Sequence, residues 1–172
     1  HIEDIKQTAP TEFFSIQEMQ GRIRAALDSR RDDGLVVIAR TDTRGPCGLS
    51  EAIQRAQAYA EAGAELVFFN WPESREEIEQ IARQVPCPLL LQISEGCRTP
   101  GLPHALLEHL GIGLVVYPGG ALRSAGQAIA RYLSAVKTEG SRPDMLTYDD
   151  RALLTKQKAF EQWQSRFGGR PS

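Results

Sequence analysis

A chain of 172 residues can form one domain with a buried core, and 41% hydrophobic and 24% charged residues are typical of a globular protein. The formal net charge of −2 gives no electrostatic reason to expect nucleic acid or an anionic membrane as a partner. No apolar run approaches the ~20 residues of a membrane span, and the segment HIEDIKQTAP has neither the basic nor the apolar region of a signal peptide. A cytoplasmic protein is therefore expected, with the lumen of an organelle as the alternative.

The first predicted helix begins at Ser15. The hydroxyl of Ser15 can accept from an orphan backbone N–H while the carboxylate of Glu18 reaches back to the N–H of the cap, which is a capping box. One apolar stripe at helical spacing follows, made of Ile16, Met19, Ile23 and Leu27. The pattern predicts an amphipathic helix.

Four short apolar runs without polar alternation are typical of parallel strands that are covered on both faces. They are residues 35–39 (LVVIA), 66–69 (LVFF), 89–93 (LLLQI) and 114–117 (LVVY). Between them, Ser50 begins a predicted helix that ends at Gly63, and a second capping box, Ser74 with Glu77, begins a helix that ends before Pro86. The alternation of strands and helices predicts right-handed βαβ units and a mostly parallel sheet.

Two architectures have this alternation. One is an open flavodoxin-like sheet, for which five strands would be complete. The other is a barrel that lacks strands, since a complete (β/α)₈ barrel typically needs ~250 residues. Periodicity alone favours the open sheet, but no GxGxxG or Walker-type loop follows a strand to mark a nucleotide crevice.

The C-terminal segment differs in character. After a turn-like break at residues 140–143, Thr147 to Asp150 resembles a helix cap, and the large apolar residues Leu153, Leu154, Phe160, Trp163 and Phe167 follow. Such residues need a surface to cover. Two interpretations stay open: a last helix that packs on its own domain, and a helix that is exchanged with a neighbouring subunit. We predict two domains, residues 1–140 and 141–172.

Seven segments in order resemble the isocitrate lyase and phosphoenolpyruvate mutase superfamily, most closely short members such as 2-methylisocitrate lyase and carboxyphosphonoenolpyruvate mutase. They are HIED (1–4), QEM (17–19), RIRAALDSR (22–30), VIARTD (37–42), GLSEAIQRAQAYAEAGAE (48–65), SEGCRTP (94–100) and LVVYP (114–118). The resemblance runs to about residue 140. It implies an α/β fold, the (β/α)₈ TIM barrel, present here as strands 4–8 with a C-terminal helix that is swapped between subunits.

The resemblance also implies a site at the C-terminal ends of the strands, where the loops of a barrel converge. It makes Arg40 the binder of a substrate carboxylate, because a guanidinium is a permanently charged fork of donors; an ion pair with Asp42 or Glu3 is the competing interpretation. Glu3 would reach Mg²⁺ through water and Asp4 would be a further oxygen ligand. The family's directly bound aspartates belong to a DxDxGYG-like segment that this sequence does not contain.

Several positions depart from the family pattern. Asn70 stands where a glutamate is usual and cannot take a proton at neutral pH, and Gln92 replaces an asparagine. Glu95 and Thr99 retain an EGGxTP-like loop, in which Thr99 either donates to the substrate or merely ends the loop. Family lyases carry a loop cysteine that acts as an acid or base, but residues 5–14 (IKQTAPTEFF) contain neither cysteine nor histidine.

The resemblance therefore implies a Mg²⁺-dependent lyase or mutase that acts on a C–C or P–C bond of a small 2-oxo or 2-hydroxy carboxylic acid through an enolate. Its catalytic residues would be Arg40, Asn70 and Glu3, and its substrate-binding residues Arg40, Gln92, Thr99 and Glu95. The alternative is a catalytically inactive, truncated or degenerate member that serves as a binding or oligomerisation module. A homo-oligomer, dimer or tetramer, is expected through helix swapping; a compact open-sheet monomer is the third interpretation.

Overall fold

The computed structural model describes residues 1–6, 9–140 and 145–167. It contains two compact units, His1–Arg123 and Ser124–Ser172. The predicted domain boundary falls beside residues 141–144, which lie outside the described residues, and it stays a prediction. Within the described part of the chain, no helix combines the length and the apolarity that a membrane crossing requires.

The elements of the first unit alternate as the sequence predicts. In chain order they are β1 (Ile2–Glu3), β2 (Ile5–Lys6), β3 (Ala9–Phe13), α1 (Ile16–Ser29), β4 (Ile38–Thr41), α2 (Arg44–Cys47), α3 (Leu49–Glu61), β5 (Leu66–Phe69), α4 (Arg75–Gln84), β6 (Leu89–Gln92), α5 (His104–His109) and β7 (Ile112–Val116). The helix α6 (Gly120–Glu139) begins in this unit and continues into the second.

A five-stranded parallel sheet lies at the centre of the first unit, in the order β1-β4-β5-β6-β7. The strands therefore follow one another across the sheet as they do along the chain. A flavodoxin-like sheet reverses its strand order at a switch point, whereas a (β/α)₈ barrel does not. The order is that of consecutive barrel strands, so the open-sheet alternative, which periodicity alone favours, is wrong for this sheet.

Of the three helix starts predicted in the first unit, one is confirmed, one holds in part and one is wrong. At α1 the capping box is complete, with Ser15 and Glu18 bonded in both directions. At α4 the hydroxyl of Ser74 accepts from the N–H of Glu77, but the Glu77 carboxylate accepts from the N–H of Glu73, so half of the box forms. The predicted start at Ser50 is wrong, because α3 already begins at Leu49.

The start of α3 is decided by a glycine. Gly48 has φ of 87°, a left-handed conformation that side chains disfavour, and it joins α2 directly to α3. No side-chain cap bond forms at Gly48, whose own N–H donates to the carbonyl of Arg44 in the preceding helix. The capping pattern around Ser50 could not reveal α2, which is only four residues long.

The core of the first unit lies between the sheet and the helices α1 and α3. Fully buried residues of both layers form one cluster, which includes Ala39, Val67 and Phe69 from the strands and Met19, Ile23, Ala56 and Tyr59 from the helices. The predicted strand at residues 35–39 starts too early: Leu35 and Val36 are 61% and 53% exposed, and β4 begins at Ile38.

The second unit contains the rest of α6 and two short helices, α7 (Tyr148–Leu154) and α8 (Gln157–Phe167). The capping box of Thr147 and Asp150 is confirmed. The single predicted terminal helix is wrong, since Lys156, with φ of 53°, separates two helices. Neither helix buries a side chain among the described residues.

Candidate functional site

The two faces of the sheet have different surroundings. Successive side chains of a strand alternate between faces, and Ala39, Val67 and Phe69 lie in the core against the helices. Arg40 and Phe68 are in register with each other, so they lie on the opposite face, which we call the inner face. In a barrel this face encloses the interior, and its C-terminal edge is the mouth where substrates bind.

Three inner-face side chains meet at the mouth. Arg40 donates to both oxygens of Asp42, from Nε and from Nη2, at 2.8 Å each. The amide nitrogen of Asn70 donates to Oδ1 of the same carboxylate at 2.6 Å. Asp42 thus joins the end of β4 to the end of β5, and two predicted site residues are brought together.

Arg40 keeps binding capacity in this arrangement. A guanidinium has five N–H donors, and Asp42 engages only Nε and one N–H of Nη2 among the described residues. The group also lies over the Phe68 ring, 4.7 Å from its centre. Burial lowers the pKa of Arg40, but the hydrogen bonds and charge of Asp42 outweigh this and raise it, so the group stays cationic. The ion pair with Asp42 is present, and binding of a substrate carboxylate stays a prediction.

Asn70 is almost entirely enclosed. Its side chain is only 1% exposed, and its Oδ1 has no hydrogen-bond partner among the described residues. The backbone N–H of Asn70 donates to the carbonyl of Thr41 at 3.1 Å, which continues the pairing of β4 and β5 by one step. The position at the end of a barrel strand agrees with its predicted place at the mouth.

Glu3 and Asp4 lie on opposite sides of the sheet. Glu3 is in register with Arg40, so it lies on the inner face, where it is 3.0 Å from Nε2 of His1. Asp4 is fully buried on the other side and accepts from the N–H of Asp42 at 2.9 Å and from the hydroxyl of Tyr59 at 3.0 Å. Burial raises the pKa of Asp4 in spite of these bonds.

The described residues do not by themselves form a Mg²⁺ site. Nowhere in residues 1–6, 9–140 and 145–167 do three His, Cys, Asp or Glu side chains gather as a metal-ligand group. One oxygen of Asp4 accepts from the N–H of Asp42 and the other from the hydroxyl of Tyr59 in α3, so its contacts do not favour the predicted metal role. Glu3 is the predicted metal residue that remains on the inner face, and its role stays a prediction.

The remaining predicted residues are spread around the strand ends. Gln92 ends β6 on the inner face, two positions after Leu90, and its Nε2 is 3.5 Å from Oγ of Ser94. Thr99 is 3% exposed, and its hydroxyl has no partner among the described residues. None of these groups has a hydrogen bond to Arg40 in the described part of the chain.

Glu95 lies beside the start of α6. A Cβ added to Gly120 would be 3.0 Å from its Oε1, and Arg123 donates to its backbone carbonyl at 2.6 Å. The carboxylate of Glu95 is therefore a close neighbour of the glycine that begins α6. Substrate binding by Glu95 stays a prediction.

The segment after Asp4 is a small antiparallel hairpin, β2 with β3. Residues 7 and 8 of the predicted catalytic-loop region lie outside the described residues. At the end of β2, Nζ of Lys6 is 3.2 Å from the carboxylate of Glu12 in β3. This ion pair joins the two strands.

The residue that the sequence did not single out is Asp42. The sequence suggests it only as a competing partner of Arg40, yet it bonds to Arg40, Asn70 and, through its N–H, to Asp4. A usable signal exists: the spacing of two between Arg40 and Asp42 puts both on one face of a strand. No comparable signal links Arg55 and Tyr59 to Asp4, because these two residues belong to a helix that is 51 or more positions from Asp4 in the sequence.

The comparisons with known proteins agree with the barrel order. Residues 1–137 match the family model described as phosphoenolpyruvate phosphomutase. The chain is 38% identical over 143 residues to 2,3-dimethylmalate lyase of Eubacterium barkeri, which covers 81% of the chain and 50% of that protein. It is 37% identical over 135 residues to 2-methylisocitrate lyase of Bacillus subtilis, covering 78% and 44%.

Solved structures match nearly the whole chain. A crystal structure of 2,3-dimethylmalate lyase superposes with a TM-score of 0.80 and 29% identity, over 98% of this chain and 61% of that one. Phosphonopyruvate hydrolase in complex with oxalate and Mg²⁺ superposes with a TM-score of 0.78 and 28% identity, over 96% and 61%. The chain spans about half the length of the curated relatives and carries part of the barrel. It belongs to the phosphoenolpyruvate mutase and isocitrate lyase superfamily, a family of lyases and mutases.

Proposed function

We propose that this chain belongs to an enzyme that cleaves or rearranges a C–C or P–C bond of a small 2-oxo or 2-hydroxy carboxylic acid through an enolate. The observation that carries the proposal is the position of Arg40 on the inner face of the barrel strands. This permanent cation has N–H groups that no described residue engages. The relatives named above act, by their names, on dimethylmalate, methylisocitrate and phosphonopyruvate. All three compounds have a carboxylate that a guanidinium can grip with two hydrogen bonds.

Arg40 would bind the substrate carboxylate and hold its charge in a fixed place. Asp42 keeps the guanidinium oriented, so little side-chain entropy is lost when the substrate arrives. Gln92 and Thr99 would hydrogen-bond further polar groups of the substrate, and a cation beside the reacting carbons stabilises negative charge that develops there.

Glu3 remains the proposed metal-facing carboxylate, acting through a water molecule. Mg²⁺ supplies a Lewis acid for an enolate oxygen in enzymes that hold it. The described residues do not form a Mg²⁺ site, and no chemical step is assigned to the ion. Asn70 cannot take a proton at neutral pH, so a base for this reaction would have to be a different group.

Oxalate binding tests the proposal directly. Titration calorimetry of the 172-residue chain, with and without Mg²⁺, should detect oxalate binding, and Arg40→Leu should weaken it about tenfold to a hundredfold because a charge-assisted bond is lost. The matched control is Arg24→Leu, which removes an exposed arginine of α1. Absence of oxalate binding, or equal affinity in Arg40→Leu, would contradict the proposal.

A binding or oligomerisation module is the second candidate. It is favoured by the aromatic side chains Phe160, Trp163 and Phe167 on α8, which are 58–64% exposed. Mg²⁺-dependent release of pyruvate or glyoxylate from candidate acids separates the two. Turnover by the chain would exclude the module, whereas oxalate binding without turnover would favour it.

A further inference from the structure

Asn70 has a polar atom without a hydrogen-bond partner. Its Oδ1 is buried, and none of the described residues donates to it. The atom belongs to a side chain that is 1% exposed and lies on the inner face at the mouth. A buried acceptor that stays unpaired costs about 1–3 kcal/mol, so a partner from outside the described residues is expected there.

The orientation of the Asn70 amide is determined by its neighbour. Nδ2 lies 2.6 Å from Oδ1 of Asp42, and that carboxylate can only accept while it is ionised. Turning the amide over would place two oxygen atoms in contact. Both oxygens of Asp42 also accept hydrogen bonds from Arg40, at 2.8 Å each. The unpaired atom of Asn70 is therefore the acceptor.

The missing partner of Asn70 Oδ1 must be a hydrogen-bond donor. A carboxylate, a ketone oxygen and an enolate oxygen only accept hydrogen bonds, whereas a hydroxyl donates one. Arg40 and Asn70 both bond to Oδ1 of Asp42, so they are close neighbours, and only Arg40 suits a carboxylate. A ligand with a carboxylate and a nearby hydroxyl satisfies both side chains together.

A cavity lies beside Trp71, the residue that follows Asn70 in the chain. Trp71 has φ of 60°, which is rare for a large side chain, and is 47% exposed. Trp71 lines a cavity of about 430 Å³ together with Gly45 of α2 and with Gly96, Cys97 and Arg98, which follow β6. The segments after β4, β5 and β6 therefore leave space at the C-terminal ends of these strands.

We propose that the site selects a hydroxy carboxylic acid over the corresponding oxo acid or unsubstituted acid, with the ligand hydroxyl donating to Oδ1 of Asn70. Asn70 is then a specificity-determining residue that accepts a hydrogen bond and removes no proton. The inference rests on the proposed role of Arg40 as the carboxylate binder.

Three diacids with the same four-carbon skeleton test the inference. Malate has a hydroxyl, oxaloacetate an oxo group and succinate neither. By calorimetry, the 172-residue chain should bind malate about tenfold more tightly than the other two, because only malate pairs the buried acceptor. In Asn70→Leu the preference should fall to about one. Asn70→Ala is the second variant if circular dichroism shows that the first does not fold.

The matched control is Gln57→Leu. Gln57 is an amide side chain on α3 that donates to the carbonyl of Gln84 in the helix layer, away from the inner face, so malate preference should be unchanged. Equal binding of the three acids by the wild-type chain would overturn the inference, because water would then satisfy Oδ1. A preference that survives the loss of Asn70 would also overturn it. If oxalate binds but malate does not, only this inference fails; if oxalate also fails to bind, the proposed function fails first.

Discussion

At the scale of single residues, Asp4 shows how one position along a strand changes the chemistry of a carboxylate. Glu3 and Asp4 are adjacent in sequence, but the alternation of a strand sends them to opposite faces. Asp4 becomes a buried acceptor for the N–H of Asp42 and the hydroxyl of Tyr59, with Nη1 of Arg55 at 3.8 Å. Its bonds support the loop that carries Asp42, so its contacts indicate a structural role.

Tyr59→Phe should lower the free energy of unfolding by about 2 kcal/mol, because it leaves the buried Asp4 carboxylate one donor short. Urea unfolding followed by circular dichroism measures the change. Tyr132→Phe is the control, since the hydroxyl of this 41% exposed residue has no hydrogen bond among the described residues. Equal stability of Tyr59→Phe and the wild type would show that the hydrogen bond seen here contributes little.

At the scale of elements, one ion pair joins two helices at the C-terminal ends of the strands. Arg44 of α2 donates to both oxygens of Glu77 in α4, at 2.6 and 2.9 Å, and also to Glu73 at 3.0 Å. Arg44 holds the pKa of Glu77 below its usual range. The pair therefore holds the loop after β4 against the start of α4, close to the mouth.

The sign of the pH effect follows from that lowered pKa. The contribution of Glu77 to stability is complete above its unfolded pKa of about 4.5 and is lost as the pH falls through the lower folded value. Glu77→Gln should cost about 2 kcal/mol at neutral pH. It should also lose less stability than the wild type when the pH is brought below about 4.5, because its side chain no longer titrates.

Chemical denaturation over a pH series measures both effects. The control is Glu61→Gln, which replaces an exposed carboxylate at the end of α3 that has no ion-pair partner among the described residues. Asp4 acts in the opposite direction, because its raised pKa makes the folded state bind a proton more readily than the unfolded chain. A Glu77→Gln variant whose acid sensitivity equals that of the wild type would contradict the assignment.

At the scale of the whole molecule, apolar surface is left uncovered in each unit. In the first, β1 and β7 are the edge strands of the sheet, and Leu114 of β7 is 44% exposed. In the second, Phe160, Trp163 and Phe167 form a row with neighbouring ring centres 6.2 and 5.9 Å apart. Surfaces of this kind favour association, and we propose that the chain forms a homo-oligomer in which α8 is covered.

Trp163→Ser should shift the chain from oligomer to monomer. Loss of one buried Trp side chain removes about 3 kcal/mol per subunit, which raises the dissociation constant by at least ~100-fold. Size-exclusion chromatography with light scattering at several concentrations measures it. Tyr148→Ser, on the 84% exposed aromatic residue that begins α7, serves as the control. A wild-type monomer at all concentrations would contradict the proposal.

The sequence by itself determined the alternation of strands and helices, the helix starts at Ser15, Ser74 and Thr147, the superfamily, and the presence of Arg40, Asn70 and Gln92 at strand ends. These depend on signals within a few neighbouring residues, such as capping and periodicity, or on whole motifs. Only the tertiary structure decided the strand order, the hydrogen bond of Tyr59 to Asp4, and the sharing of Asp42 by Arg40 and Asn70. The bonds of Asn70 to Asp42 and of Tyr59 to Asp4 join residues 28 and 55 positions apart, which local patterns do not encode because chain packing alone brings such residues together.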